Sequence, residues 1–173
     1  MIENIKKQVY ELLTNDDSGH GFDHINRVLE LSLKFANKEN ANKELVAMIA
    51  LLHDVDDYKL FGKENAKNLT NAKAIMNKAN VPAEIQKQVV SSLNCIGYSK
   101  CLKGFRPLTI EGKIVSDADM CDALGVNGIL RAYKYSIKNA KPFFDRNIFP
   151  IKNMTANEYT KKCADSSVCH IFE

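Results

Sequence analysis

KELVAMIALLHD, residues 43–54, is the stretch on which the fold turns. From Val46 to Leu52 every residue is apolar, with no polar position at any helical phase. A surface helix would keep one polar face. An unbroken apolar run of this length predicts a central helix, about Lys43 to Asp54, buried on all sides. The run ends on His53 and Asp54, two polar residues at the end of the most apolar helix.

The segments on either side read as helices that wrap this one. Ile2, Ile5, Val9 and Leu12 form one stripe, and a polar loop follows from Thr14 to Gly19. Ile25, Val28, Leu29, Ser32 and Ala36 form a second stripe, within a helix from about Phe22 to Ala36. Further helices are predicted at about Glu64 to Ala79 and Pro82 to Asn94. Pro82 suits a first helical position, where its missing N–H has no helical partner. Gly97, Gly104 and Pro107 break the chain into a loop. Two more helices follow, about Thr109 to Ala123 and Asn127 to Lys138, and then an irregular stretch from Lys141 to Met154. No strand-like alternation, repeat or linker interrupts the pattern. The expected architecture is all-α, a single-domain bundle of roughly seven or eight helices over residues 1–173.

A chain of 173 residues, 45% apolar and 26% charged, is long enough for one substantial core. The net charge of +3 comes from scattered lysines rather than a basic face, which argues against nucleic acid as a partner. No run approaches the roughly 20 apolar residues that span a bilayer, and the N-terminus lacks a signal-peptide core, so no membrane is expected. Five cysteines with no CxxC pair support neither a zinc knuckle nor a disulfide scaffold, and a cytoplasmic setting fits.

The chemistry concentrates where charge meets the apolar core. An ionised Asp54 at the end of the central helix is costly unless paired, hydrogen-bonded or metal-bound. The same problem recurs at Ile114-Val115-Ser116-Asp117-Ala118-Asp119. A divalent cation between the two positions would relieve both. Adjacent helical residues lie about 100° apart, so His53 and Asp54 can flank an ion but not enclose it. His24 and Asp117 are the natural further donors. Two imidazoles and two carboxylates suit one divalent ion of Mn, Fe, Co, Ni or Zn, and Mg less well. The competing reading is a capped helix end with a satisfied core histidine.

GHGFDHINRV (19–28), ALLHDVDDYK (50–59), ENAKNL (64–69) and GKIVSDADMCDALGVNGILRAY (112–133) together resemble the HD-domain metal-dependent phosphohydrolases. The likeness is to a bacterial branch of small predicted hydrolases and covers nearly the whole chain in order. It implies that His24, His53, Asp54 and Asp117 are metal ligands and that the reaction is hydrolysis of a phosphate ester. Where some relatives carry histidines for a second metal, SSLNCIGYS (91–99) has none, which favours a single ion.

For the water-orienting role Asp57 is the first candidate, three residues after Asp54 and on the same side of a continued helix. Relatives that hydrolyse alarmones have an acidic residue at that offset. His20, four residues before His24, is a candidate pocket group or general acid. Arg27, in an HxxR pattern, is placed to hold a phosphate oxygen or to pair with Asp54 or Asp117. Lys59 and Lys63 are candidate phosphate contacts on the rim. Asp119 and Asp122 are expected to orient the ligand helix by hydrogen bonds. A small phosphorylated substrate is expected, its identity open among nucleotides, cyclic dinucleotides, alarmones and sugar phosphates. The alternative is a non-catalytic HD domain that binds metal or nucleotide as a sensor. Asp165 to Glu173 reads as the start of a helix that continues in relatives. A shortened terminus would leave apolar surface and favour a homo-oligomer.

Overall fold

The computed structural model describes residues 1–14, 21–138, 140–151 and 153–161. Among them are ten helices and no strand. In chain order they are α1 (Ile2–Leu13), α2 (Phe22–Lys38), α3 (Lys43–Leu52), α4 (Tyr58–Asn68), α5 (Thr70–Lys78), α6 (Ala83–Leu93), α7 (Tyr98–Leu102), α8 (Ile110–Asp122), α9 (Gly125–Lys138) and α10 (Ala156–Lys161). Two of them, α7 and α10, are a turn or two long, which leaves eight substantial helices. No helix of the described residues is long and apolar enough to cross a membrane.

The predicted central helix is central. All residues from Leu45 to Leu52 are buried. Helices α2 and α8 pack on α3 and on each other, with α1 and α6 closing its remaining sides. Asn42 starts α3 by accepting from the amides of Glu44 and Leu45, both at 3.1 Å. The apolar stripe of α2 is buried as read, at Ile25, Val28, Leu29, Ser32 and Ala36.

Two differences from the sequence reading lie in the middle of the chain. The helix expected from about Glu64 to Ala79 is two helices, parted at Leu69, whose φ of 50° is left-handed. The amides that open α5 are capped from a distance. Asp56 accepts from Asn71 N at 2.8 Å and Ala72 N at 2.9 Å, which is why this carboxylate is buried. The loop after Gly97 contains α7. On α8, Gly112 lies so close to Ser92 and Pro107 that a Cβ would stand 2.8 Å from Ser92 Oγ and 2.7 Å from Pro107 Cβ. That close approach sets α8 against α6 and fixes the height at which the later residues of α8 meet α3.

Candidate metal centre

His24 projects from the first turn of α2 and is 2% exposed. His53 is the C-cap of α3. Their Nε2 atoms stand 3.1 Å apart. The other ring nitrogen of each is committed. His53 Nδ1 lies 2.8 Å from the carbonyl oxygen of Ala50, which can only accept, so Nδ1 carries the proton. His24 Nδ1 lies 2.7 Å from Asp122 Oδ2. Burial alone would raise the Asp122 carboxyl, but hydrogen bonds from His24 and Arg27 hold it well below the usual carboxylate range. Asp122 is therefore an acceptor, and His24 Nδ1 is protonated as well.

In their neutral forms both histidines thus turn Nε2 lone pairs toward one point. Two carboxylates face the same point. Asp119 Oδ1 is 3.4 Å from His24 Nε2 and 3.7 Å from His53 Nε2. Asp54 Oδ2 is 3.5 and 3.7 Å from the same atoms. Two lone pairs at this distance repel unless a cation lies between or beside them. Ligand atoms placed about 2.1 Å from one ion at right angles would be about 3 Å apart, by the bond lengths such ions take with nitrogen and oxygen. The donor set therefore fits a divalent metal. Ligand atoms of His24, His53 and Asp119 all lie within 4.8 Å of one another.

This differs from the sequence reading at one ligand. Asp117 is exposed, and Asp119 stands where Asp117 was expected. The buried side of α8 is formed by Ile114, Val115, Ala118 and Asp122. Asp119 follows Val115 by four residues and borders that side. Asp117 is about 200° away from Asp119 around the helix. Asp122 does orient a ligand by hydrogen bond, whereas Asp119 belongs to the donor set itself.

Arg27 pairs with neither Asp54 nor Asp117. Its Nε and Nη2 clasp the two oxygens of Asp122 at 2.7 and 3.0 Å. Arg131 Nη1 joins from α9 at 3.2 Å. Its 3.4 Å approach to His24 Nδ1 is no hydrogen bond, since both atoms carry protons. The assembly runs from two arginines through one carboxylate to a ligand histidine. It fixes the His24 tautomer and raises its donor strength. Asp122→Asn should weaken metal binding by about 10- to 100-fold, a typical cost for losing such a partner. Isothermal titration of the apo-protein with Mn would read it.

The helix does not continue past the His-Asp pair. Helix α3 ends at Leu52 and α4 begins at Tyr58, so the three-residue offset does not by itself place Asp57 beside Asp54. Asp57 is the N-cap of α4, where Oδ1 accepts from Lys59 N at 2.8 Å. The Lys59 side chain is exposed, with Nζ 5.9 Å from the ring centre of Tyr58, and Lys63 is also exposed. His20 and the segment from Asp165 to Glu173 lie outside the described residues. Beside α2 and α9 is a cavity of about 420 Å³. Its lining includes Tyr10, Phe22, His24, Arg27, Arg131 and Lys134, so it reaches the site from the arginine side.

Comparison with known proteins shows the family. The family model described as HD domain matches residues 21–124. YpgQ of Bacillus subtilis is 32% identical over 136 residues, 78% of this chain and 65% of YpgQ. The chain therefore spans about two thirds of that relative's length. A crystal structure from Lactobacillus plantarum has a TM-score of 0.85 and 33% identity, covering 99% of this chain and 79% of that one. An HD-superfamily hydrolase from Bacillus thuringiensis has a TM-score of 0.68 and 29% identity, covering 99% and 76%. YpgQ in complex with ADP has a TM-score of 0.64 and 26% identity, covering 94% and 76%. The matched residues hold His24, His53, Asp54 and Asp119 together with the clasp at Asp122, and the chain belongs to the HD domain family.

Proposed function

We propose that this protein is a metal-dependent phosphohydrolase that uses one divalent ion to hydrolyse a phosphate ester, with nucleotides as the favoured substrate class. The observation that carries the reading is the convergence of two histidine lone pairs and two carboxylates on one point. When bound, the ion would supply an activated water and a Lewis acid for a phosphoryl oxygen. His24, His53, Asp119 and Asp54 would hold it, and Asp122 would keep His24 in the donating tautomer. Support for a nucleotide comes from two sides. The cavity beside His24 has a volume usual for small-ligand sites and carries Arg27, Arg131 and Lys134. The relative YpgQ has been crystallised with ADP.

In this reading Asp57 takes the proton of the attacking water at Oδ2, the oxygen not used by the cap. Asparagine caps a helix as well as aspartate does. Asp57→Asn therefore removes the base without removing the cap. Turnover should fall on the order of 10²-fold with metal content unchanged, in line with general-base contributions. Loss of metal in step with activity would show that Asp57 is a ligand or a structural residue instead.

The reading itself is tested by a panel of nucleotides, other phosphomonoesters and phosphodiesters, each assayed with Mn, Co, Ni and Mg. Metal-dependent release of phosphate or pyrophosphate from a nucleotide is the expected result. Stoichiometric metal binding with no turnover of any substrate would favour the alternative, a sensor domain.

A further inference from the structure

We infer that Tyr10, held edge-on by Phe22, is a nucleobase platform in the cavity beside His24, and that Arg131 and Lys134 receive the anionic end of the same ligand. The inference rests on the nucleotide reading above. It assigns a residue, Tyr10, that lies outside the four segments resembling the family.

The lining of this cavity is of two chemical kinds. Arg27 from α2 and Arg131 and Lys134 from α9 bring positive charge, against one acid, Asp23. Arg131 and Lys134 are three residues apart and so lie on one side of α9. Among the described residues Arg131 is bonded only through Nη1, to Asp122, which leaves Nε and Nη2 to donate. It can therefore serve Asp122 and a phosphate oxygen together. His24 is in the same lining, so an anion held here lies next to a ligand of the metal.

Tyr10 and Phe22 are the other kind. The buried residues of α1 are Ile5, Val9 and Leu13, whereas Tyr10 is 51% exposed and is not needed by the core. A lone exposed aromatic is ordinary on a protein surface. Tyr10 differs in being both positioned and shared with the cavity. Its ring centre is 5.0 Å from that of Phe22, with the planes at 89°. Phe22 is half-buried and packs against the main core, so the ring that braces Tyr10 is itself fixed. An edge-on pair leaves at least one face of each ring uncovered by the other. Both rings line the cavity that carries the three cations. A sugar phosphate has no use for a flat apolar face, but every nucleobase has a π face to stack on one. A nucleotide has the two ends that these two linings suit.

Isothermal titration of the Mn-loaded full chain compares two probes, ADP with a methylene bridge between its phosphorus atoms and methylenediphosphonate. Both carry the same P–C–P group, which resists hydrolysis, and only the first has a base. Wild type should bind the ADP analogue more tightly. Tyr10→Ala should weaken that binding by about 10-fold or more, the scale of one lost base–aromatic stack, and Tyr10→Phe should keep it. Methylenediphosphonate should bind Tyr10→Ala and wild type alike. The chain has no tryptophan, so Tyr10→Trp supplies a single reporter. In the Mg-loaded protein its fluorescence should change with the ADP analogue and not with methylenediphosphonate, which tests the platform even if Tyr10→Ala fails to fold. Equal affinity of wild type for the two probes, undiminished binding of the analogue by Tyr10→Ala, or a Tyr10→Trp signal indifferent to the base would overturn the platform and leave the phosphate-ester reading standing. Base-dependent and Tyr10-dependent binding in a protein that turns over no phosphate ester would sink the hydrolase reading and support the platform.

Discussion

Asp119→Asn is expected to lower metal affinity by orders of magnitude and to reduce turnover to background, while Asp117→Asn leaves both near wild type. The two residues are separated by one alanine, have the same chemistry and sit on the same helix. Only their direction differs. Asp119 Oδ1 lies 3.4 and 3.7 Å from the two Nε2 atoms, and Asp117 faces solvent. Losing a carboxylate ligand removes a bond to the ion and one unit of compensating charge, whereas a solvent-facing carboxylate contributes little to either. Metal content after dialysis, read by inductively coupled plasma analysis, separates the variants without reference to any substrate. Equal metal retention in Asp119→Asn and wild type would mean that the donor set has been drawn around the wrong carboxylate. Asp54→Ala should behave like Asp119→Asn.

That pair also marks where the sequence stops being informative. The central helix was legible because Val46 to Leu52 leaves no room for a polar face, and the structure buries all of it. His24 was legible because the stripe of α2 puts it one residue before the buried Ile25, and His53 because it ends the apolar run. The choice between Asp117 and Asp119 was harder, since both flank Ala118. The signal that could have decided it was Val115, four residues before Asp119 and buried at 0% exposure. The position of Asp57 was not legible because it depended on whether α3 continued for one more turn. Helix ends are poorly fixed by local sequence. The role of Asp56 was not visible at all. Its partners are the amides of Asn71 and Ala72, fifteen and sixteen residues away.

The metal-free protein should lose stability as pH rises from about 6.5 toward 10, and bound metal should abolish that slope. Burial alone would lower the His24 pKa. Hydrogen bonds to Asp119, Asp122 and Asp54 outweigh it and raise the value from 6.5 to about 10. The physical cause is the crowd of acceptors around one ring. Without a metal, a proton on Nε2 is the cation that the point requires, and that proton is donated to the Nε2 lone pair of His53. A group whose folded pKa is raised adds stability in full below its unfolded pKa, and that stability is lost as pH climbs through the folded value. The loss should therefore fall between pH 6.5 and about 10. Asp122 acts at the other end. Its depressed pKa adds stability above the ordinary carboxylate range, and this is lost under strong acid. Metal changes the upper limb because it takes the same site as the proton. Binding expels the proton, so metal affinity rises with pH by as much as the metal-free stability falls, and the loaded protein stays level above the unfolded histidine range. Thermal unfolding from pH 7 to 9.5 should give a falling Tm with EDTA and a level one with saturating Mn. His24→Gln, which cannot carry the charge, should level the EDTA series. An EDTA-treated wild type whose Tm climbs over that range would mean that His24 does not carry the proton, and that the lone pairs do not converge as described.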